Sequence, residues 1–291
     1  MAVTEDQLTR WAQGPSTAED ERCATAIRRI TDALRPQLGD RVTVFLQGSY
    51  KNRTNIRQDS DVDIAVRDDR SYFADTADMS STALTLYKAG FTPSDHTFEQ
   101  FKARVHQILT DAFGSGVKRR NKCILVPNAA PGVSGDVVPC FEHRRFGVNG
   151  TVTARGIEFL ADDGVRSNSF PDQHYRNGVA KNDATQRMYK RMVRILKNVR
   201  GALVETGKLP DDAVASFFIE CLVFNGLPDH IFLADTYFSS SKRVIEALYT
   251  ATEEGNPRMV EVSDLKYLFH GDRTAAQARE FLQAAYSFIG H

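Results

Sequence analysis

The chain has 291 residues, 42% hydrophobic and 25% charged, an ordinary globular composition that can bury a core without staples. At roughly 100–200 residues per domain it makes one large domain or two lobes sharing a cleft. Lys+Arg and Asp+Glu both number 37, so the formal net charge is zero; a protein that holds long nucleic acid through its phosphates would carry a basic excess. The polar, acidic N-terminus MAVTEDQLTRWAQG is no signal peptide. No apolar run approaches the ~20 residues of a membrane helix, so a cytoplasmic location without membrane contact is expected. Cys23, Cys123, Cys140 and Cys221 form no C-x-x-C pair and fit reduced thiols. Cys140 and His143 supply only two ligands, too few for a zinc site.

In chain order, Ala26, Ile27, Ile30, Ala33 and Leu34 recur at helical spacing and predict a helix over 17–35. Ser16 and Glu19 fit a capping box at its start, and Pro36 and Gly39 close it. VTVFLQ, residues 42–47, is β-branched and aromatic-rich, hence a strand. The loop GSYKNRTNIRQDS follows, and then DVDIAV, a second strand of period 2. Residues 98–113 read as a helix stopped by Gly114. Residues 122–126 and 136–141 read as strands joined by a hairpin through PNAAPGVSG. Residues 142–182 are polar and weakly patterned, whereas helical patterns cover about 184–206, 211–225, 241–253 and 274–288. An α/β half therefore precedes a helical half, with the boundary between 145 and 180.

Side chains two apart on a strand share a face, so Asp61 and Asp63 project together while Val62 and Ile64 face the core. Close carboxylates need a counter-charge, and magnesium, held by one or two carboxylates plus substrate phosphates, is the natural one. Asp136 opens another predicted strand and completes a three-carboxylate set if that strand lies beside the first. D-x-D alone also fits a solvated strand edge. Upstream, Gly48 permits close backbone approach, and exposed amides with the Ser49 hydroxyl can hold a phosphate.

G-S-Y-x-N-x-T-x-I followed by S-D-V-D-I resembles the bacterial cGAS/DncV-like nucleotidyltransferases of anti-phage signalling (CBASS), closest to the CdnE-like branch of this polymerase-β-like superfamily. The resemblance covers most of residues 40–225. It implies an α/β nucleotidyltransferase sheet with flanking helices over 1–160, a helical lobe over 161–291 completing the nucleotide pocket, and an active site in the cleft between them. It implies that Gly48 and Ser49 hold the donor triphosphate, with Gln47 beside them. It further implies that Asp61, Asp63 and Asp136 bind two Mg²⁺ ions, for which Mn²⁺ can substitute. Lys190, Arg194 and Lys197 lie on one face of the predicted helix KRMVRILKNVR, ordinarily a solvated stripe; the resemblance implies instead that Lys197 reaches the triphosphate. ASFFIECL reads as a buried helix, but by resemblance Ser216 contacts phosphate and Phe217 stacks on the donor base. Many relatives carry Tyr there, so one hydroxyl is lost. HYRNG and Lys181-Asn182 resemble a segment lining the nucleotide pocket, which makes Asn177 a base reader; a turn Asn before Gly is the plainer alternative.

The implied activity joins nucleoside triphosphates, ATP and a second NTP, into a cyclic oligonucleotide with release of pyrophosphate. Regulatory or effector proteins are expected partners. Two other readings fit these residues: transfer to an RNA end or small acceptor, and a nucleotide-binding module without activity.

Overall fold

The computed structural model describes residues 3–56, 61–94, 96–253 and 258–290. Residues 57–60, including Ser60 of the S-D-V-D-I stretch, lie outside the described residues. In chain order the elements are α1 (Glu5–Ala12), α2 (Thr17–Leu38), β1 (Val42–Gln47), α3 (Gly48–Asn52), β2 (Val62–Asp75), α4 (Ser81–Gly90) and α5 (Phe98–Phe113). Then come β3 (Lys118–Arg119), β4 (Ile124–Ala130), β5 (Val133–Phe146), β6 (Val152–Leu160) and β7 (Arg166–Ser169). The helices α6 (Pro171–Ala184), α7 (Met188–Glu205), α8 (Ser216–Phe224), α9 (Tyr237–Glu253) and α10 (Ala275–Gly290) complete the chain.

Two compact units result. Residues 17–50 and 61–171 form the first; residues 3–16, 51–56 and 172–290 form the second. The N-terminal α1 belongs to the helical unit because Leu8 and Ala12 bury in its core. The Glu5 carboxylate also accepts the backbone N–H groups of Tyr237 and Phe238 at the start of α9, at 2.6 and 2.9 Å, a charge that suits a helix N-terminus.

Among the described residues the sheet unit has seven strands in the order β1-β2-β5-β4-β3, with β6 paired to β5 and β7 to β6. Among the described residues only β2 and β5 pair in parallel, and the other pairs of the sheet are antiparallel. A parallel pair needs a long crossover, and residues between β2 and β5 supply it through α4, α5, β3 and β4. One face of the sheet buries Val62, Ile64, Val66 and Val137 with Ile30 and Leu34 of α2 and Val105 and Ile108 of α5. Gly135 has no side chain because a β-carbon there would meet Ile30 Cδ1.

The structure departs from the sequence reading where local pattern is weak. The stretch after β1 begins with a short helix, α3, rather than a loop. Helix α2 runs through Pro36 to Leu38, since a proline in the last turn leaves little helix beyond it to break. Strands β2 and β5 are each 14 residues long, and the β4–β5 hairpin turns at Pro131-Gly132, with Ala130 opposite Val133. The weakly patterned 142–182 region holds the end of β5, all of β6 and β7, and α6. Their polar residues pair with one another: buried His143 and Glu158 lie 2.6 Å apart across β5 and β6.

Candidate active site

In the sheet unit the predicted residues line up across neighbouring strands. Asp63 stands opposite Gln47 of β1 and opposite Asp136 of β5 in the register. Register partners share a face, so Gln47, Asp63 and Asp136 form one row on the side away from the α2–α5 core. Asp61 is exposed one residue before β2 and, two residues from Asp63, is directed to the same side.

Gly48 follows β1 with φ +66°, and a β-carbon there would collide with the Asp63 carboxylate, 2.7 Å from its Cγ. The glycine is therefore required twice, by its backbone conformation and by the carboxylate packed against it. Ser49 is half-buried in the first turn of α3.

Two residues to which the sequence reading gave no site role complete this surface. The Arg120 guanidinium lies 4.0 Å from Asp136 Oδ1, an oxygen that is buried and has no hydrogen-bond partner among the described residues. The Cys123 thiol lies beside the Asp136 carboxylate. Burial first, then the neighbouring Asp136 carboxylate, push this thiol up to about 12 against the opposing Arg120. Neither residue carries a motif; only the β4–β5 register, with Leu125 opposite Asp136, brings them here.

These observations fit a divalent cation. Hard carboxylate oxygens are aligned on one side, and one buried oxygen lacks the partner that a buried acceptor needs. Among the described residues, no three His, Cys, Asp or Glu side chains converge to hold an ion by themselves. That is the arrangement expected where substrate phosphates supply the remaining ligands.

The helical unit holds the other predicted residues. Lys197 of α7 is 3% exposed, so the stripe it belongs to is not a solvated face. Its Nζ donates to the Thr54 carbonyl at 3.0 Å and lies 3.9 Å from Glu220 Oε2. Glu220 itself accepts from Thr54 Oγ1 at 2.8 Å and lies 2.9 Å from His174 Nε2. Burial pushes the Glu220 carboxyl up, but His174, Lys197 and Thr54 outweigh that and hold it below its ordinary value. A lone Glu inside the apolar run SFFIECLVF was the available sign of this buried network. It anchors residues 53–54, with Arg194 Nη1 donating to the Arg53 carbonyl at 2.7 Å.

Ser216 and Phe217 begin α8 and are both exposed, Phe217 at 41%. The Phe217 ring lies 5.9 Å from the His174 ring, and the Arg273 guanidinium lies 5.5 Å over it. A large aromatic left open beside two groups that can stack suits a planar ligand. Asn177 is helical rather than in a turn, and its Nδ2 donates to the Val262 carbonyl at 2.9 Å. The Tyr175 ring is flanked by Lys51 at 4.7 Å and Lys190 at 5.8 Å. Lys181, buried, donates to the Gly226 carbonyl and to Asp229.

Comparison with known proteins accords with this picture. The cGAS/DncV-like nucleotidyltransferase C-terminal helical domain matches residues 176–290. A cyclic dipurine nucleotide synthase from Elizabethkingia meningoseptica is 42% identical over 293 residues, covering 100% of both chains. A cyclic dipyrimidine nucleotide synthase CdnE from Cecembia lonarensis is 36% identical over 278 residues, covering 93% of this chain and 92% of the relative. The solved structure of the Elizabethkingia meningoseptica CdnE cyclic dinucleotide synthase with GTP and Apcpp superposes with a TM-score of 0.84 at 40% identity, covering 99% of this chain and 100% of that one. No described helix is long and apolar enough to cross a membrane. With its Asp63–Asp136 row and its full-length relatives, the chain belongs to the cGAS/DncV-like nucleotidyltransferases, in their CdnE-like branch.

Proposed function

We propose that this nucleotidyltransferase joins two nucleoside triphosphates, ATP and a second NTP, into a cyclic dinucleotide that serves as a second messenger in anti-phage (CBASS) defence. The observation that carries the reading is the Gln47–Asp63–Asp136 row with Gly48 packed on Asp63. The identity of 42% over the full length to a cyclic dipurine nucleotide synthase supports it. Asp61, Asp63 and Asp136 would hold two Mg²⁺ ions, or Mn²⁺ in their place, and such ions supply charge neutralisation for a triphosphate and activation of a hydroxyl.

The remaining work falls to the chain. The α3 amides and the Ser49 hydroxyl would donate to phosphate oxygens, and Ser216 would do the same at the start of α8. The exposed Phe217 ring offers its face to the donor base. Lys197 is engaged with Thr54 and Glu220, so it acts on the triphosphate either by exchanging those partners or by anchoring residues 53–54. Asn177 would read a base edge through its carbonyl oxygen and its second amide N–H, the first being held by the Val262 carbonyl. A ribose hydroxyl of the second nucleotide attacks the α-phosphorus in line. The new O–P bond forms, the bond to the β-phosphate oxygen breaks, pyrophosphate leaves, and the hydroxyl proton passes toward the Asp136 carboxylate. A second attack closes the ring. Effector or regulatory proteins would respond to the product.

The test is incubation with all four NTPs and Mg²⁺, phosphatase treatment and mass spectrometry. A phosphatase-resistant cyclic dinucleotide, absent with Asp61→Asn, is expected and names the bases. A linear, phosphatase-sensitive product, or transfer only to an added RNA or small acceptor, would overturn the cyclase reading.

A further inference from the structure

The helical unit contains a cavity of about 500 Å³ lined by Thr9, Ala12, Gln13, Arg191, Arg194 and Tyr237, together with Gly14 and Pro15. None of these is among the predicted nucleotide-site residues. The cavity is within the 300–1,000 Å³ range typical of small-molecule sites. Its chemistry is one-sided. Arg194 is half-buried, with Nε donating to the Ala12 carbonyl at 2.8 Å and Nη1 to the Arg53 carbonyl at 2.7 Å. Arg191, one turn earlier on α7, reaches only the Met188 thioether, at 3.9 Å.

Among the described residues neither guanidinium has a carboxylate partner. Glu5 of α1 is committed to the start of α9, where its carboxylate accepts the Tyr237 and Phe238 N–H groups. Two like charges therefore share one cavity wall, and burial together with Arg191 holds the Arg194 guanidinium down to about 10. A partly buried cation without a counter-ion is costly. An anion carrying several acceptor oxygens can accept from the Arg191 fork and from the Arg194 N–H groups that the Ala12 and Arg53 carbonyls do not use, which relieves that cost. The half-buried Tyr237 ring adds an aromatic wall.

We propose that this cavity is a second, non-catalytic binding site for a phosphate-bearing small molecule of mononucleotide size, held by Arg191 and Arg194. Binding there does not require the proposed reaction, although Arg194 also holds the Arg53 carbonyl of the anchored 53–54 segment. The test is calorimetric titration of the full chain with AMP, and separately with inorganic phosphate, in EDTA. Without divalent ions the carboxylate row has little means of holding phosphate. The variants are Arg191→Glu, at an exposed position, Arg194→Lys and Ser49→Ala, with thermal melting as the folding control.

One-to-one binding of AMP is expected, weakened at least about tenfold by Arg191→Glu and by Arg194→Lys and unchanged by Ser49→Ala. AMP binding clearly tighter than phosphate would assign part of the recognition to the nucleoside and Tyr237; equal binding would assign it to the phosphate alone. Loss in Ser49→Ala with retention in Arg191→Glu, or no binding of either probe below millimolar concentration, would overturn the proposal.

Discussion

Gly48 and Asp63 are packed so closely that a β-carbon on the first would collide with the carboxylate of the second. The contact joins the end of β1 to the middle of the Gln47–Asp63–Asp136 row, so the turn and the carboxylates form one device. Gly48→Ala is therefore expected to cost about 1 kcal/mol or more from its positive φ alone. It is also expected to lower turnover by about 100-fold or more, because Asp63 must move and catalytic geometry tolerates little displacement. Steady-state kinetics beside thermal melting check this; near-normal kcat would show that the contact is not needed.

Glu220 is buried against His174, Lys197 and Thr54. Its carboxyl is held below the ordinary glutamate value in the folded chain, because His174, Lys197 and Thr54 outweigh its burial. A lowered folded pKa contributes stability that is present above the unfolded value, and that contribution is lost as pH falls through the lower folded value. Glu220→Gln should destabilise the protein by about 3–5 kcal/mol at neutral pH, by leaving Lys197 buried without its counter-charge. The gap between wild type and variant should narrow as pH falls below about 4.5. Denaturant melts between pH 7 and pH 3.5 measure it, and a gap that stays constant would remove the assigned role.

The Cys123 thiol, pushed up to about 12 by burial and by Asp136, holds almost no thiolate at neutral pH. It should react with iodoacetamide far more slowly than a free cysteine at pH 7.5, whereas all four cysteines should react in denaturant. Intact-mass spectrometry over time distinguishes the two. Asp136→Asn should speed the reaction of the native protein, because the carboxylate charge contributes to the shift.

Phe217 exposes its ring at the start of α8. Phe217→Ala should raise the KM for the donor NTP about tenfold, from loss of a stacking contact worth about 1–3 kcal/mol. Phe217→Tyr should retain the wild-type value. Equal KM values for wild type and the alanine variant would mean that the donor base lies elsewhere.

Local pattern carried the three aspartates a long way. Period-2 alternation in DVDIAV places Asp61 and Asp63 on one side of a strand, and the glycine before Ser49 marks the turn. Strong periodicity likewise made α2, α5 and α7 legible, because an apolar stripe must face a core whatever that core is. The fourteen-residue strands and the short β7 were not legible, since their polar residues are satisfied by neighbours distant in sequence, as in the pair His143–Glu158.

The sequence by itself determined the shared strand side of Asp61 and Asp63, the glycine turn, the family resemblance and the α/β-then-helical order. Tertiary structure decided which residues meet. It put Asp136 opposite Asp63 through a parallel pairing that only a long crossover permits. It brought Arg120 and Cys123 to Asp136, and it turned Lys197 inward to Thr54 and Glu220. Spacing along a chain fixes the side of a strand or helix on which a side chain emerges, but the partner it finds depends on register between segments far apart in sequence.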